Sequence, residues 1–156
     1  MSLNIVLFEP EIPQNTGNIA RTCAATGANL HLIKPLGFSV EDKYLKRAGL
    51  DYWNLVNINY YENFEHFLQE IGDAEVFIAT TKESRIYTEV NYSNDCYIMF
   101  GKETKGLPDY VHEKYKNTRI KIPMVNNPHA RSLNLANSVN IVMYEALRQL
   151  NFPNLQ

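Results

Sequence analysis

Short apolar runs alternate with amphipathic stretches along the whole chain. Residues 3–8 (LNIVLF) carry the near-continuous apolar character of a buried strand. Residues 30–33 (LHLI) repeat that character and end at Pro35. Further strands are predicted at 56–60, 76–80 (VFIAT), 97–100 (YIMF) and 119–122, the last stopped by Pro123. Helical stretches fall between them. One covers 17–26 and stops at Gly27; one runs from a Ser39/Asp42 capping box through Ala48. Asn63 is placed to cap a helix reaching Ile71, Pro108 opens one that reaches about Lys116, and the last helix spans 133–150.

Strands that alternate with helices specify an α/β fold, a mostly parallel sheet with helices on both faces. In such sheets ligands bind beyond the carboxyl ends of the strands. The segments to inspect are therefore 9–18, 80–84, 101–108 and 123–134. Three of these four are the densest in Gly, Pro, Asn and isolated charges. The last helix is unusual. Leu135, Ala136, Val139, Ile141, Val142, Met143, Ala146, Leu147 and Leu150 cover most of its circumference. A surface helix needs only one apolar stripe. This one is either central to its own domain or buried in a symmetric dimer, and the second reading is slightly favoured.

Composition narrows the class. With 156 residues and 45% of them hydrophobic, the chain supports one core, so residues 1–156 are read as a single domain. That content is too high for a mainly disordered chain. No apolar run approaches the ~18 residues of a membrane span, and the N-terminus lacks the basic-then-apolar pattern of a targeting signal. Cys23 and Cys96 are far apart in apolar surroundings, which suits a reducing cytoplasm. His31, His66, His112 and His129 are scattered without metal-ligand spacing, so no metal is expected. The net charge of −2 is not that of a strongly basic nucleic-acid binder. If RNA is bound, a local patch must do it.

Three constellations carry candidate chemistry. PQNTGNIAR (13–21) follows a strand and opens a helix, whose terminal amides suit an anion; a surface salt bridge would equally explain Arg21. FGKETKGLP (100–108) sets two glycines around a Glu and two lysines, and glycine permits close backbone approach to a ligand; an ordinary turn has the same composition. IPMVNNPHARSLNLANSV (122–139) leaves a strand by a proline-rich loop and enters the last helix. Ser132 stands where an N-cap belongs, and Asn134 and Asn137 would satisfy neighbouring backbone groups. Neither GxGxxG nor GxxxxGK[ST] is present, and no nucleophile–base pair is evident. The residues by themselves specify an α/β domain with a ligand pocket built by three loops.

At these three segments the sequence resembles the SPOUT superfamily of S-adenosylmethionine-dependent RNA methyltransferases. NTGNIAR matches the first motif, FGKETKGLP the second, and IPM with RSLNLANSV the third, in order and over nearly the whole chain. The opening NIVLFEPEIPQNTGNIARTCAATG and the segment RAGLDYW are most similar to the small group that methylates the ribose 2′-hydroxyl of the tRNA wobble nucleotide, cytidine or modified uridine. The resemblance implies a C-terminal trefoil knot whose loops hold S-adenosylmethionine, a dimer with the last helix in its interface, and tRNA, through its anticodon loop, as partner. It places cofactor contacts at Ala79, Gly101, Glu103, Ile122, Ser132 and Leu133, and catalytic or positioning roles at Arg21, Asn15, Ser132 and Asn134. Ala79 is smaller than the aliphatic residue usual in the group, and loop 125–130 is about two residues longer than in some relatives. Arg21 is implied to assist proton loss from the hydroxyl or to clamp the adjoining phosphate. Arginine is a poor base because its pKa exceeds ~12. Lys43, Lys46 and Arg47, with Arg21 and Lys105, are candidate RNA contacts. Another RNA such as rRNA as substrate, a catalytically silent RNA-binding paralogue, and a small-molecule enzyme are the competing readings.

Overall fold

The computed structural model describes residues 2–41, 43, 47, 52–82 and 84–156. The helix expected from Ser39 and Asp42 through Ala48 falls largely outside these residues, as does Lys46. The described elements are β1 (Asn4–Phe8), α1 (Pro13–Thr26), β2 (Asn29–Ile33), β3 (Ile58–Tyr61), α2 (Phe64–Ile71), β4 (Val76–Ala79), β5 (Arg85–Ile86), β6 (Tyr97–Phe100), α3 (Asp109–Lys114), β7 (Arg119–Lys121) and α4 (Leu135–Gln149).

Among the described residues seven strands form one sheet in the order β3-β2-β1-β6-β4-β7-β5. Every neighbouring pair is parallel. Successive side chains of a strand point to opposite faces, and the core divides accordingly. Ile5 and Leu7 of β1, Ile98 and Phe100 of β6 and Phe77 of β4 face one cluster; α1 closes it with Ile19, Ala20 and Cys23, and α4 with Val139, Val142, Met143 and Ala146. Val6, Phe8, Ile78 and Met99 face the other, closed by Phe64 and Phe67 of α2 and Val111 of α3. Parallel strands buried on both faces need the near-continuous apolar runs that the sequence carries.

Helix ends depart from expectation in two places. α1 begins at Pro13, not Gly17, because proline at the first helical position loses no hydrogen bond there. α4 is capped by Asn134 rather than Ser132: Asn134 Oδ1 accepts from the Asn137 amide at 3.2 Å. Asn63 caps α2 as expected, accepting from the His66 amide at 2.8 Å. β5 has only two residues and went unpredicted. α4 finds much of its partner surface within the chain. Ala136, Val139, Val142, Met143, Ala146 and Leu147 are buried, and what stays exposed is a stripe of Asn137, Ile141, Tyr144 and Arg148. Val142 and Met143 therefore belong to the chain's own core. Cys23 and Cys96 are free and buried, and burial pushes both thiols up to about 12.

A polar ladder crosses the buried strands. His31 Nε2 lies 2.9 Å from Asn4 Oδ1, and His31 Nδ1 lies 2.8 Å from the Tyr61 hydroxyl. Asn29 Nδ2 donates to the same Asn4 oxygen at 3.0 Å. Burial holds the His31 imidazole down at about 4, whereas an unfolded histidine titrates near ~6.5. The unfolded chain thus binds its proton first, and stability falls as pH drops from ~6.5 toward 4. Urea unfolding should show His31 contributing a loss of roughly 2–3 kcal/mol over that range. Wild type and His31→Gln should differ in slope there and run parallel above pH 7; identical slopes would refute the coupling.

Candidate active site

Parallel strands deliver their carboxyl ends to one edge of the sheet, and the loops beyond β1, β4, β6 and β7 meet there. Between them lies a cavity of about 560 Å³. Its walls are Ile12 and Asn15 of the β1–α1 segment, residues 79–82 after β4, 101–107 after β6, and Ile122, Met124 and 131–135 after β7.

The loop after β6 is closed on itself. The Gly106 amide donates to the Lys102 carbonyl at 2.9 Å, and Gly106 holds a left-handed φ of 66°. A Cβ on Gly101 would run into the backbone of Gly106 and Leu107. The close approach that requires glycine at 101 is thus to the loop's own backbone. This closed ring presents Glu103 to the start of α1. Its Oε1 accepts from the Glu11 amide at 3.0 Å, and its Oε2 accepts from the Ile12 amide at 2.6 Å and from Asn15 Nδ2 at 3.3 Å. Asn15 Oδ1 accepts in turn from Asn134 Nδ2 at 3.0 Å. One relay therefore joins the loop after β6, the first turn of α1 and the cap of α4. A second stitch lies beside it. Glu11 Oε1 accepts from the Thr104 amide and hydroxyl at 3.1 and 2.7 Å, which holds the Glu11 carboxyl below its ordinary range. Lys102 meets Glu9 at 3.0 Å, where β1 ends in a residue with a φ of 49°.

Asn15, Ala79, Gly101, Glu103, Ile122, Ser132, Leu133 and Asn134 all line this one cavity. Arg21 does not. It is exposed on α1, with its guanidinium 5.0 Å from the centroid of the Tyr52 ring. The anion expected at the start of α1 is supplied internally, because Glu103 already takes the two amides just ahead of the helix. A negative group there is favoured by the helix dipole as well.

Lining residues that lie outside the three motifs include Thr80, Lys82, His112 and Lys121. His112 is 5% exposed, and its Nδ1 has no hydrogen-bond partner. Burial lowers its basicity, and Lys82 and Arg119 lower it further. Its signal in the sequence was only its place beside Val111, on the sheet-facing side of a short helix. Among the described residues no group of three His, Cys, Asp or Glu stands together to hold a metal.

A parallel α/β sheet with a ligand cavity across its strand ends defines the class. Within that class the chain belongs to the SpoU rRNA Methylase family, whose model matches residues 2–144. It is 47% identical to the tRNA (cytidine(34)-2′-O)-methyltransferase of Escherichia coli (strain K12), covering 97% of this chain and 96% of that protein. A solved structure described as giving insight into the 2-OH methylation of C/U34 on tRNA is 45% identical, with a TM-score of 0.90, and covers 96% of this chain and 97% of that one. An AdoMet-bound rRNA methyltransferase from Sinorhizobium meliloti is 26% identical with a TM-score of 0.84; this chain covers 57% of its length.

The relay makes a direct prediction. Glu103→Ala leaves two backbone amides and the Asn15 amide without their acceptor, and should cost about 1–3 kcal/mol in denaturant unfolding. Thr104→Ala, which removes only the hydroxyl from the neighbouring stitch, should cost less. Equal stability of Glu103→Ala and wild type would show that the relay holds nothing.

Proposed function

We propose that this chain transfers a methyl group from S-adenosylmethionine to the ribose 2′-hydroxyl of the tRNA wobble nucleotide, cytidine or modified uridine 34. The observation that carries the reading is that seven residues from three motifs far apart in sequence, together with Ala79 at the end of β4, line one cavity. The likeness to proteins named for this reaction, over nearly the whole chain, supports it. The cavity fits the cofactor in kind. Its volume is that of a small-molecule site, and its lining mixes apolar side chains such as Ala79, Ile122, Leu133 and Leu135 with many polar and charged ones, which suits a ligand that carries both an adenine ring and a charged amino-acid end. Ala79, Gly101, Ile122, Leu133 and Ser132 would hold the cofactor, which supplies when bound a methyl group already activated on a positive sulfur.

The chain's own task is to place and deprotonate the hydroxyl. A carboxamide nitrogen carries two protons. In both Asn15 and Asn134 one of these is committed to the relay, which leaves each side chain one N–H to offer a ribose oxygen. Glu103 acts as a positioning residue by fixing Asn15. Reacting atoms must be held roughly 3–3.5 Å apart, and two oriented amides serve that end. Arg21 acts from outside its own cavity, on the phosphate next to the reacting ribose, where its charge stabilises the hydroxyl as the proton leaves.

A homodimer across the exposed stripe of α4 completes this reading. Ile141 and Tyr144 remain exposed at 37% and 45% on a helix otherwise packed into the core. α1 packs against α4, and in this reading the partner copy completes the substrate site near Arg21. We assign residues 1–156 to a single domain, because both core clusters share one sheet. We also assign a trefoil knot to the C-terminal part; the insertion of β6 between β1 and β4, and of β7 between β4 and β5, supports such a threading. Two free, buried thiols and a tRNA substrate fit the cytoplasm. No described helix is long and apolar enough to cross a membrane.

Purified protein with labelled S-adenosylmethionine should methylate tRNA at position 34 and leave free nucleosides untouched. Methylation of rRNA fragments but not of tRNA would overturn the wobble assignment. Arg21→Ala should lower the single-turnover rate by about 10²–10⁴-fold with calorimetric cofactor affinity unchanged. Arg21→Lys should recover little, since lysine offers a point charge in place of a planar fork. A near-wild-type rate in the alanine variant would move the role to Ser132 or Asn134. Ile141→Asp should dissociate the dimer in light scattering while the chain stays folded. A monomeric, fully active wild type would refute the dimer.

A further inference from the structure

The cavity does not end at its three loops. It opens into a trench of about 790 Å³ along the sheet edge formed by β7 and β5. Thr81, Lys82, Lys121, Ile122, Met124 and Arg131 line both spaces, and Ile86, Pro123 and Pro128 extend the trench beyond the cavity. Among the described residues three cations line the trench and no carboxylate does. Lys82 meets Asp109 at 3.2 Å, but both groups are largely exposed, and such pairs are weak. Lys121 and Arg131 make no ion pair among the described residues. In a chain with 17 acids against 15 lysines and arginines, this is a local reversal of the overall balance.

We propose that this trench binds the phosphate backbone of the single-stranded RNA next to the methylated nucleotide, with Lys121 and Arg131 as its phosphate ligands and Lys82 as a third. The proposal rests on the methyltransferase reading and names the part of the surface that holds the substrate. A ribose 2′-hydroxyl and the 3′-phosphate sit on adjacent carbons, so a hydroxyl presented to the cavity brings its phosphate to the cavity mouth. Each cation lies one residue from a cavity-lining neighbour: Lys82 beside Thr81, Lys121 beside Ile122, Arg131 beside Ser132. The strand that continues from the mouth then meets the three cations together with apolar Ile86, Pro123 and Pro128, a mixture that suits phosphates and unstacked bases. The guanidinium of Arg131 can take a phosphate through two parallel hydrogen bonds. The competing anion is the carboxylate of the cofactor. One carboxylate does not account for three cations, nor for a trench that runs past the cavity.

The experiment uses the full chain with Lys121→Gln and Arg131→Gln, singly and together. Binding of whole tRNA is followed by fluorescence anisotropy across a salt series, and binding of S-adenosylhomocysteine by calorimetry. Removing one cation from a single-strand phosphate should reduce the slope of log K against log salt by about 0.7. The double variant should bind tRNA roughly 10–100-fold more weakly at 0.1 M salt and raise KM for tRNA, with kcat little changed. Its S-adenosylhomocysteine affinity should stay within about 2-fold of wild type on this assignment, since the phosphate role leaves cofactor binding alone. Lys116→Gln, an exposed lysine beyond α3, should keep the wild-type slope. An unchanged slope in the double variant overturns the proposal. So does a loss confined to cofactor affinity, which would give these cations to the cofactor carboxylate. Wild-type methyl transfer at position 34, measured in the same preparation, tests the underlying reading separately; a wild type that binds no tRNA overturns both.

Discussion

Glu103 sits where β6 has run out, and both of its oxygens are committed. Three N–H donors converge on it, two from the backbone ahead of α1 and one from Asn15. Hydrogen bonds to an ionised acceptor are about twice as strong as neutral ones. They gain further here from the positive end of α1. Everything else at this edge follows from that anchoring. Asn15 is held by one end, so its oxygen points to Asn134. Asn134 is then held by both its cap and Asn15, so the entry into α4 is fixed relative to α1. Without the carboxylate, three loops that are far apart in sequence would share an edge of the sheet and little more.

The strands were legible because a parallel sheet covered on both faces demands unbroken apolar runs, and those runs are unmistakable in LNIVLF, VFIAT and YIMF. β5 was not, because a two-residue edge strand carries no periodicity. Helix starts were blurred for a reason that can be named. Pro13 looks like a breaker yet is compatible with the first helical position, and Ser132 looks like a cap while Asn134, two residues on, does the capping. The site was legible as a set of motifs. Its wiring was not, since Glu103 lies 88 residues from Asn15 and Asn15 lies 119 from Asn134. The expectation for Arg21 shows the same limit. A motif names the residue, but only the packing of α1 reveals that its side chain leaves its own cavity.

The near-neutral charge takes on meaning once partners are assigned. The acids nearest the cavity are engaged internally: Glu9 with Lys102, Glu11 with Thr104, Glu103 with backbone amides. Their field is offset at short range by the groups that they bind. The cations at the outer edge, Lys121 and Arg131, have no such partner among the described residues. Net charge sums over both groups and so conceals the separation. What a polyanion meets is the local field, which screening confines to about 8–10 Å at ordinary salt.

This separation also bears on whether the chain is built for chemistry or for binding alone. A protein that only held RNA would need the cations of the trench and its apolar residues. It would not need two carboxamides locked end to end beside a cavity of small-molecule size, each with an N–H left over. Ordering those side chains costs conformational entropy, and the Glu103 relay offsets that cost by fixing Asn15 and Asn134 in the folded chain, before any ligand arrives. Preorganised donors are the means by which a protein lowers a barrier without reorganising at the moment of reaction. On the proposed reading the hydrogen-bonded inner wall and the exposed outer edge divide the work: the wall would orient the hydroxyl, and the edge would hold the strand that carries it.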